Sequence, residues 1–359
     1  MSRPIQALID LSALEHNFSV VRRHAPHARV MAVIKADASG HGLLRAAEAL
    51  SRSDGFAMLE LDAAVRLREA GYRQAVLLLE GFFSIEELTW IEQYHLSTVI
   101  HNREQLSMLS AYTPRGRLRL NIFLKINTGM NRLGFTPEQF PAALEALRAS
   151  PAVGAITLMT HFARADEYGS KETIAAQLQC FKAVAAGQHL SCSLANSAAI
   201  LRYPETHADW VRPGIMLYGG SPLAGRTAAE LDLQPAMTVS SKIIAVQTLK
   251  SGEGIGYGHA FRADRSMRVG IVAGGYADGY PRHAPTGTPV LVNGRRTRIV
   301  GRISMDMLYV DLSGMDDTGV GSPVTLWGKG MPVDEVAQAA GTVGYELLCA
   351  LAPRMKIVT

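Results

Sequence analysis

Cysteine is scarce: Cys180, Cys192 and Cys349 are the only three in 359 residues, far apart and without zinc-like spacing. An odd, sparse set argues against a disulfide scaffold and fits a reducing cytoplasm. Long apolar runs are missing too. The opening MSRPIQALIDLSALEHN lacks the unbroken apolar core of a signal peptide, and no run approaches a membrane span. A cytoplasmic protein without a membrane partner is expected. Charge of one sign is also lacking, since 36 Lys and Arg against 32 Asp and Glu leave a net +4 with the basic residues scattered. No basic tract or aromatic-interleaved stripe asks for nucleic acid. What remains is 48% hydrophobic and 19% charged, the balance of a globular chain long enough for a large barrel plus a second domain.

Short apolar runs alternate with amphipathic stretches over the first two-thirds. The runs are VMAVIK (30–35), GFAMLEL (55–61), AVLLLEG (75–81), STVIHN (97–102), RLNIFLKIN (119–127), AITLMTHF (155–162), SCSLANS (191–197) and WVRPGI (210–215). Most are rich in β-branched or large aliphatic residues and of strand length, as parallel strands buried on both faces require. Helical patterns lie between them. Ser84-Ile85-Glu86-Glu87 and Thr136-Pro137-Glu138-Gln139 carry capping-box spacing, and Gly71 marks a helix stop. Eight strands alternating with helices predict an α/β fold, a (β/α)8 TIM-type barrel over 1–232, with an open doubly wound sheet as the alternative. After residue 232 short β runs separated by Gly turns follow, with Asn293-Gly294 as a hairpin signal and VDEVAQAAG as the main helical stretch. A mainly antiparallel β domain is expected over 233–359.

A barrel places its chemistry at the C-terminal ends of its strands. Those ends carry Lys35, Glu60, Glu80, His101, Lys125 with Asn127, His161, Asn196 with Ser197, and Arg212. Glu60 and Glu80 read equally well as solvent-facing or helix-capping groups. Lys35 closes the run VMAVI and enters a turn of small residues, Ala36 to Gly42. A lysine there is expected to be partly desolvated, which favours the neutral amine that forms a Schiff base with an aldehyde. The bland alternative is a lysine that snorkels past the rim.

At this point the motifs resemble those of bacterial alanine racemases. AVIKADASGHG resembles the cofactor-lysine motif of that family, and the likeness continues in order through LKINTGMNRLGF, MTHFARAD, LANSAA, VRPGIMLYG, GYGHAF, GGYADGYPR, GRISMDM and GYELLCALAPR. It covers essentially the whole chain. The resemblance implies a pyridoxal 5'-phosphate enzyme that interconverts L- and D-alanine with two bases, supplying D-alanine for peptidoglycan or catabolising alanine. It also implies a head-to-tail homodimer with shared active sites.

By that resemblance Lys35 holds the cofactor as a Schiff base and is the acid/base on the D face. Tyr257 is the opposing base, supplied by the partner subunit, and two groups on opposite faces suit a planar carbanion. Arg212 faces the pyridine nitrogen, where a permanent cation disfavours protonation of that nitrogen. His161 hydrogen-bonds and orients this arginine. Arg132 engages the substrate carboxylate, and its planar fork suits such an acceptor. Lys125 matches a lysine carbamylated in many relatives, which would turn a repelling cation into an anionic partner for Arg132; an ordinary salt-bridged lysine is the competing reading. Ser197, the backbone of Gly214 and Ile215, and Tyr345 match the phosphate-binding set. Met305 matches the partner-subunit residue whose main-chain N–H meets the substrate carboxylate. Tyr276, Arg282 and Arg302 are expected to line the access channel.

Two residues depart from the family pattern. Ser39 stands where relatives usually have a tyrosine whose hydroxyl reaches the phosphate, and losing a hydrogen bond to that charge would cost roughly 1.5–3 kcal/mol. Asp37 stands in place of Asn and adds a negative charge near the site. Among competing classes, a barrel-type decarboxylase sets an acidic residue where Arg212 stands, a non-catalytic carrier lacks the β domain, and an interaction protein leaves the polar strand ends unexplained. A racemase of broader specificity, for serine for example, stays open.

Overall fold

The computed structural model describes residues 3–116 and 118–359. A strand β1 (Gln6–Ile9) and a helix over Leu11–His24 precede the barrel, the helix opening on Asp10, whose carboxylate accepts from Ala13 N at 3.1 Å. Eight parallel strands then close on themselves: β2 (Arg29–Val33), β3 (Gly55–Met58), β4 (Ala75–Leu78), β5 (Ser97–Ile100), β6 (Leu120–Lys125), β7 (Val153–Met159), β8 (Ser191–Asn196) and β9 (Trp210–Arg212). They are the eight apolar runs of the sequence. Each is joined to the next by helix on the outer face, as right-handed crossovers demand. Closure is made by β9 against β2, with Trp210 opposite Arg29.

Local signals behave as their chemistry dictates, with one exception. Thr136 and Gln139 exchange reciprocal bonds, Gln139 N to Thr136 Oγ1 and Thr136 N to Gln139 Oε1. Gly71 ends the helix Leu61–Glu69 at φ +92°. At Ser84 no capping bond forms; Glu87 instead accepts from Phe83 N at 2.8 Å, one residue earlier.

The second sheet is built around β10 (Met237–Leu249), which pairs antiparallel with β1, with Met267–Ala273 and with Pro323–Trp327. The expected hairpin joins Pro289–Val292 to Arg295–Arg298, with Asn293 and Gly294 both at positive φ. The sheet also contains both ends of the chain, because β1 pairs parallel with Lys356–Val358. Residues 6–9 therefore lie in the second sheet and not in the barrel that the reading of 1–232 expected. Physically, β2 to β9 already satisfy one another's backbone groups all round, leaving no barrel edge for β1 to join. A second helix, Gly344–Cys349, also follows Val333–Ala339.

Candidate active site

The barrel interior holds an apolar layer of Met31, Ala57, Leu77, Val99, Phe123, Met159 and Trp210. Side chains two residues apart on a strand share a face. One step beyond this layer the same columns carry His101, Lys125, His161 and Arg212, and two steps beyond Met31 comes Lys35. All the strands run parallel, so these groups converge at one mouth.

Arg212 is 4% exposed. Its Nη1 donates to Ser193 Oγ at 2.6 Å, and its Nη2 donates to Thr160 O at 2.7 Å, Leu194 O at 3.1 Å and His161 Nδ1 at 3.3 Å. Burial lowers its pKa to about 10, so it stays cationic at neutral pH. Among the described residues no carboxylate pairs with it. His161 is pushed well below the usual imidazole range by burial first and then by the charges of Arg212 and Lys125. It is neutral, accepts at Nδ1 and therefore carries its proton on Nε2.

Lys125 is 7% exposed. Burial, then the positive charges of Arg212 and Arg132, lower it to about 8, against a smaller opposing pull from Glu80. Its carbonyl accepts from Phe135 N at 2.9 Å, which ties the end of the Arg132 loop to the barrel. Lys125, Met130, Arg132, Leu133, Thr160 and His161 line one small cleft.

Lys35 opens an unusual segment. Ala36, Asp37, Ala38 and Ser39 all have φ between +50° and +55°, and Gly40 follows at +79°. This is a left-handed helical turn built from four non-glycine residues, and each costs roughly 1–2 kcal/mol of backbone strain. The surroundings hold it. Asp37 Oδ1 accepts from Leu43 N at 2.7 Å, and the buried His41 ring contacts the Ala38 and Ser39 carbonyls through Nδ1 at 3.0 and 2.9 Å. Burial lowers His41 to about 4, so Nδ1 donates as a neutral ring. His41 also packs on Tyr218, whose hydroxyl donates to Val33 O at 2.8 Å. The buried Ser39 hydroxyl lies beside Tyr218 and the Cys349 thiol. Lys35 itself is exposed, contrary to the desolvation expected of it, because the tight turn projects it into the open mouth.

On the other side of the mouth Ser197 Oγ accepts from Gly214 N at 2.8 Å. Tyr345, from the helix Gly344–Cys349 of the second domain, brings its hydroxyl against Gly214 and the Ile215 backbone N–H. Eight residues of the sequence-derived set, Lys35, Lys125, Arg132, His161, Ser197, Arg212, Gly214 and Ile215, are thus joined by Tyr345 within one chain. Thr160 and Ser193, which satisfy Arg212, carry no motif of their own in the sequence; the inward parity of β8 is the one local signal for Ser193.

Tyr257, Tyr276, Arg282, Arg302 and Met305 lie elsewhere, on the second domain. Tyr257 is 72% exposed and Met305 51%. The Arg282 guanidinium sits 5.9 Å from the centre of the Tyr276 ring, Tyr276 N donates to Ser304 O at 3.1 Å, and Arg302 borders Gly258. Among the described residues none of the five hydrogen-bonds to the barrel-mouth group.

A parallel barrel with cationic groups converging at its mouth, completed by a residue from a β domain, defines an enzyme of the two-domain barrel class. Family models described as the alanine racemase N-terminal and C-terminal domains match residues 9–222 and 236–359. An alanine racemase of Nitrosospira multiformis is 76% identical over 359 residues, all of both chains, and one of Nitrosomonas europaea is 62% identical over 100% of this chain and 99% of its own. The crystal structure of a biosynthetic alanine racemase from Pseudomonas aeruginosa superposes with a TM-score of 0.96 at 46% identity, covering 99% of each chain. The chain belongs to the alanine racemase family.

Proposed function

We propose that the chain interconverts L- and D-alanine with pyridoxal phosphate at the barrel mouth, as one half of a cytoplasmic homodimer. The observation that carries this is full-length family membership, joined to the convergence of Lys35, Arg132, His161 and Arg212 at one mouth. The residues present fit the cofactor. Gly214 lacks a Cβ where one would run into Tyr345, so backbone N–H and two hydroxyls crowd one spot suited to a phosphate. Arg212 is a buried cation satisfied, among the described residues, by neutral acceptors alone, the environment for a neutral ring nitrogen. Bound there, pyridoxal phosphate supplies an electron sink that spreads the negative charge left at the substrate α-carbon.

In this reading the exposed Lys35 amine moves the α-proton on one face. The hydroxyl of Tyr257 from a second copy of the chain does so on the other, which is consistent with Tyr257 making, among the described residues, no bond to its own barrel mouth. The second domain, over 233–359, is thus the part that one subunit lends to its neighbour. Ser197, Gly214, Ile215 and Tyr345 hold the phosphate. Arg132 takes the substrate carboxylate together with the Met305 N–H of the second copy, while Tyr276, Arg282 and Arg302 border the access channel. Arg212, oriented by neutral His161, keeps a fixed positive charge at the ring nitrogen. Lys125, lowered to about 8, presents enough neutral amine to add carbon dioxide with loss of a proton; the resulting carbamate would neutralise Arg132.

The test is a proton NMR time course of L-alanine with the purified protein and pyridoxal phosphate in D2O, with a chiral assay on the same sample. Loss of the α-proton signal together with D-alanine is the expected result. Cofactor retention without exchange would overturn the alanine reading.

A further inference from the structure

The Met305 backbone lies at the centre of an ion cluster that joins the two ends of the chain. Asp278, 1% exposed, accepts on Oδ1 from Arg3 Nη1 at 2.9 Å and pairs through the same oxygen with Arg354 Nε at 2.8 Å. Its Oδ2 accepts from Gly275 N at 3.0 Å. The second ends of the two arginines reach the Met305–Asp306 segment. Arg3 Nη2 donates to Asp306 O at 2.7 Å, and Arg354 Nη2 donates to Asp306 Oδ1 at 2.7 Å and to Met305 O at 3.4 Å. The turn carrying Asp278 grips the same segment, Tyr276 N donating to Ser304 O at 3.1 Å and Ala277 N to Met305 O at 3.0 Å. A Cβ on Gly275 would collide with the carbonyls of Ser304 and Met305, so the close approach needs glycine.

The consequence follows from peptide planarity. In a trans peptide the C=O and the N–H point opposite ways. Ser304 O faces the Asp278 turn, so Met305 N–H faces away from it, and among the described residues it meets no acceptor. An exposed loop thus presents one rigid, unused donor outward.

We propose that Asp278, Arg3 and Arg354 are positioning residues that act in trans, fixing the Met305 N–H for the substrate carboxylate bound in a second copy's barrel. The proposal rests on the functional reading above. None of the three touches that substrate. A buried carboxylate holds two half-exposed guanidiniums, whose charge-assisted bonds reach the Met305 and Asp306 carbonyls as well as the Asp306 carboxylate.

Arg354→Ala is the first variant, because Arg354 is half-exposed and its loss leaves the Asp278–Arg3 pair to preserve the fold. Loss of one aligned hydrogen bond to a carboxylate is expected to raise KM for L-alanine about tenfold with kcat little changed. Arg354→Lys should recover part of that loss, and cofactor content and oligomeric state should stay those of the parent. Amide exchange over 302–307 should quicken. Mixed dimers locate the effect. One subunit carries Lys35→Ala and the other Arg354→Ala, so the only working barrel faces an unaltered second domain. Parental KM in that dimer is the expected result. A KM that stays raised, or an Arg354→Ala homodimer with unchanged KM or unchanged exchange, overturns the clamp. Absence of racemisation by the unsubstituted enzyme would instead overturn the functional reading, and the exchange measurement, which needs no turnover, would still decide the clamp.

Discussion

The Tyr345 hydroxyl lies only 2.1 Å from where a Cβ on Gly214 would stand, so the two residues interlock across the boundary between the barrel and the second domain. The next nearest atom, Tyr345 Cζ, would lie 3.4 Å from such a Cβ, an ordinary contact. The overlap is therefore a matter of one oxygen. Gly214→Ala alone is expected to cost about 1–3 kcal/mol of stability, the range for overpacking. Tyr345→Phe alone should cost less. The double variant should regain most of the Gly214→Ala loss, giving a coupling of about 1 kcal/mol or more in a denaturation cycle. Additive losses would mean that Gly214 is needed for some other reason. Both variants should also loosen cofactor retention, read by dialysis and phosphate assay.

Lys125 gives a pH signature. Its folded-state value of about 8 lies below the ordinary 10.5. Between those two values the unfolded chain holds a proton that the folded chain has lost, so folding becomes more favourable as pH rises from 8 to 10.5. The total is about 3–4 kcal/mol, from a lowering of 10.5 to about 8 at about 1.4 kcal/mol for each unit. In carbonate-free buffer at pH 7, Lys125→Met should therefore be more stable than the parent by that order, and the gap should close by pH 10.5. Added bicarbonate near pH 8 should raise the thermal midpoint of the parent and not of Lys125→Met. Equal responses would remove the carbamate from the mechanism.

Much of this site was readable in the sequence because parallel barrel strands impose a two-residue period. Once Phe123, Met159 and Trp210 are read as inward, Lys125, His161 and Arg212 must follow them inward at the strand ends. The family resemblance then added roles that no spacing could give. Other features had no local signal. The left-handed turn at Ala36–Ser39 is made of residues that do not favour positive φ; it is imposed by contacts with Leu43, His41 and the helix Gly344–Cys349. The pairing of β1 with β10 and with Lys356–Val358, and the bridge from Arg3 to Asp278 across 275 positions, depend on how the two domains close together.

That turn makes its own prediction. Ala36 is exposed at φ +53° and ψ +55°, so its methyl contributes strain and little packing. Ala36→Gly removes about 1–2 kcal/mol of strain and restores about 0.5–1 kcal/mol of unfolded-state entropy, for a net gain near 0.5–1 kcal/mol. Gly40→Ala should go the other way, by about 2 kcal/mol or more, since its Cβ would strike the Leu348 carbonyl. Urea denaturation of both variants settles it, and a destabilised Ala36→Gly would show the turn to be unstrained.

His161 provides the last test, because its neutrality is what lets it accept from Arg212. Its folded-state value is pushed far below 6.5 by burial and by the neighbouring cations. The unfolded chain takes up a proton below pH 6.5 and the folded chain does not. The contribution to stability is therefore complete above that pH and is lost as pH falls, by up to about 1.4 kcal/mol for each unit. His161→Gln keeps a hydrogen-bonding side chain that does not titrate. Between pH 7.5 and 5.5 the parent should lose stability relative to this variant by about 1–2 kcal/mol, with the slope appearing only below 6.5. The NMR signals of the His161 ring should stay at neutral-tautomer shifts, protonated on Nε2, throughout that range. A ring that titrates near its ordinary value would mean that Arg212 is held by Ser193, Thr160 and Leu194 alone, and that the imidazole is free to exchange protons with the site.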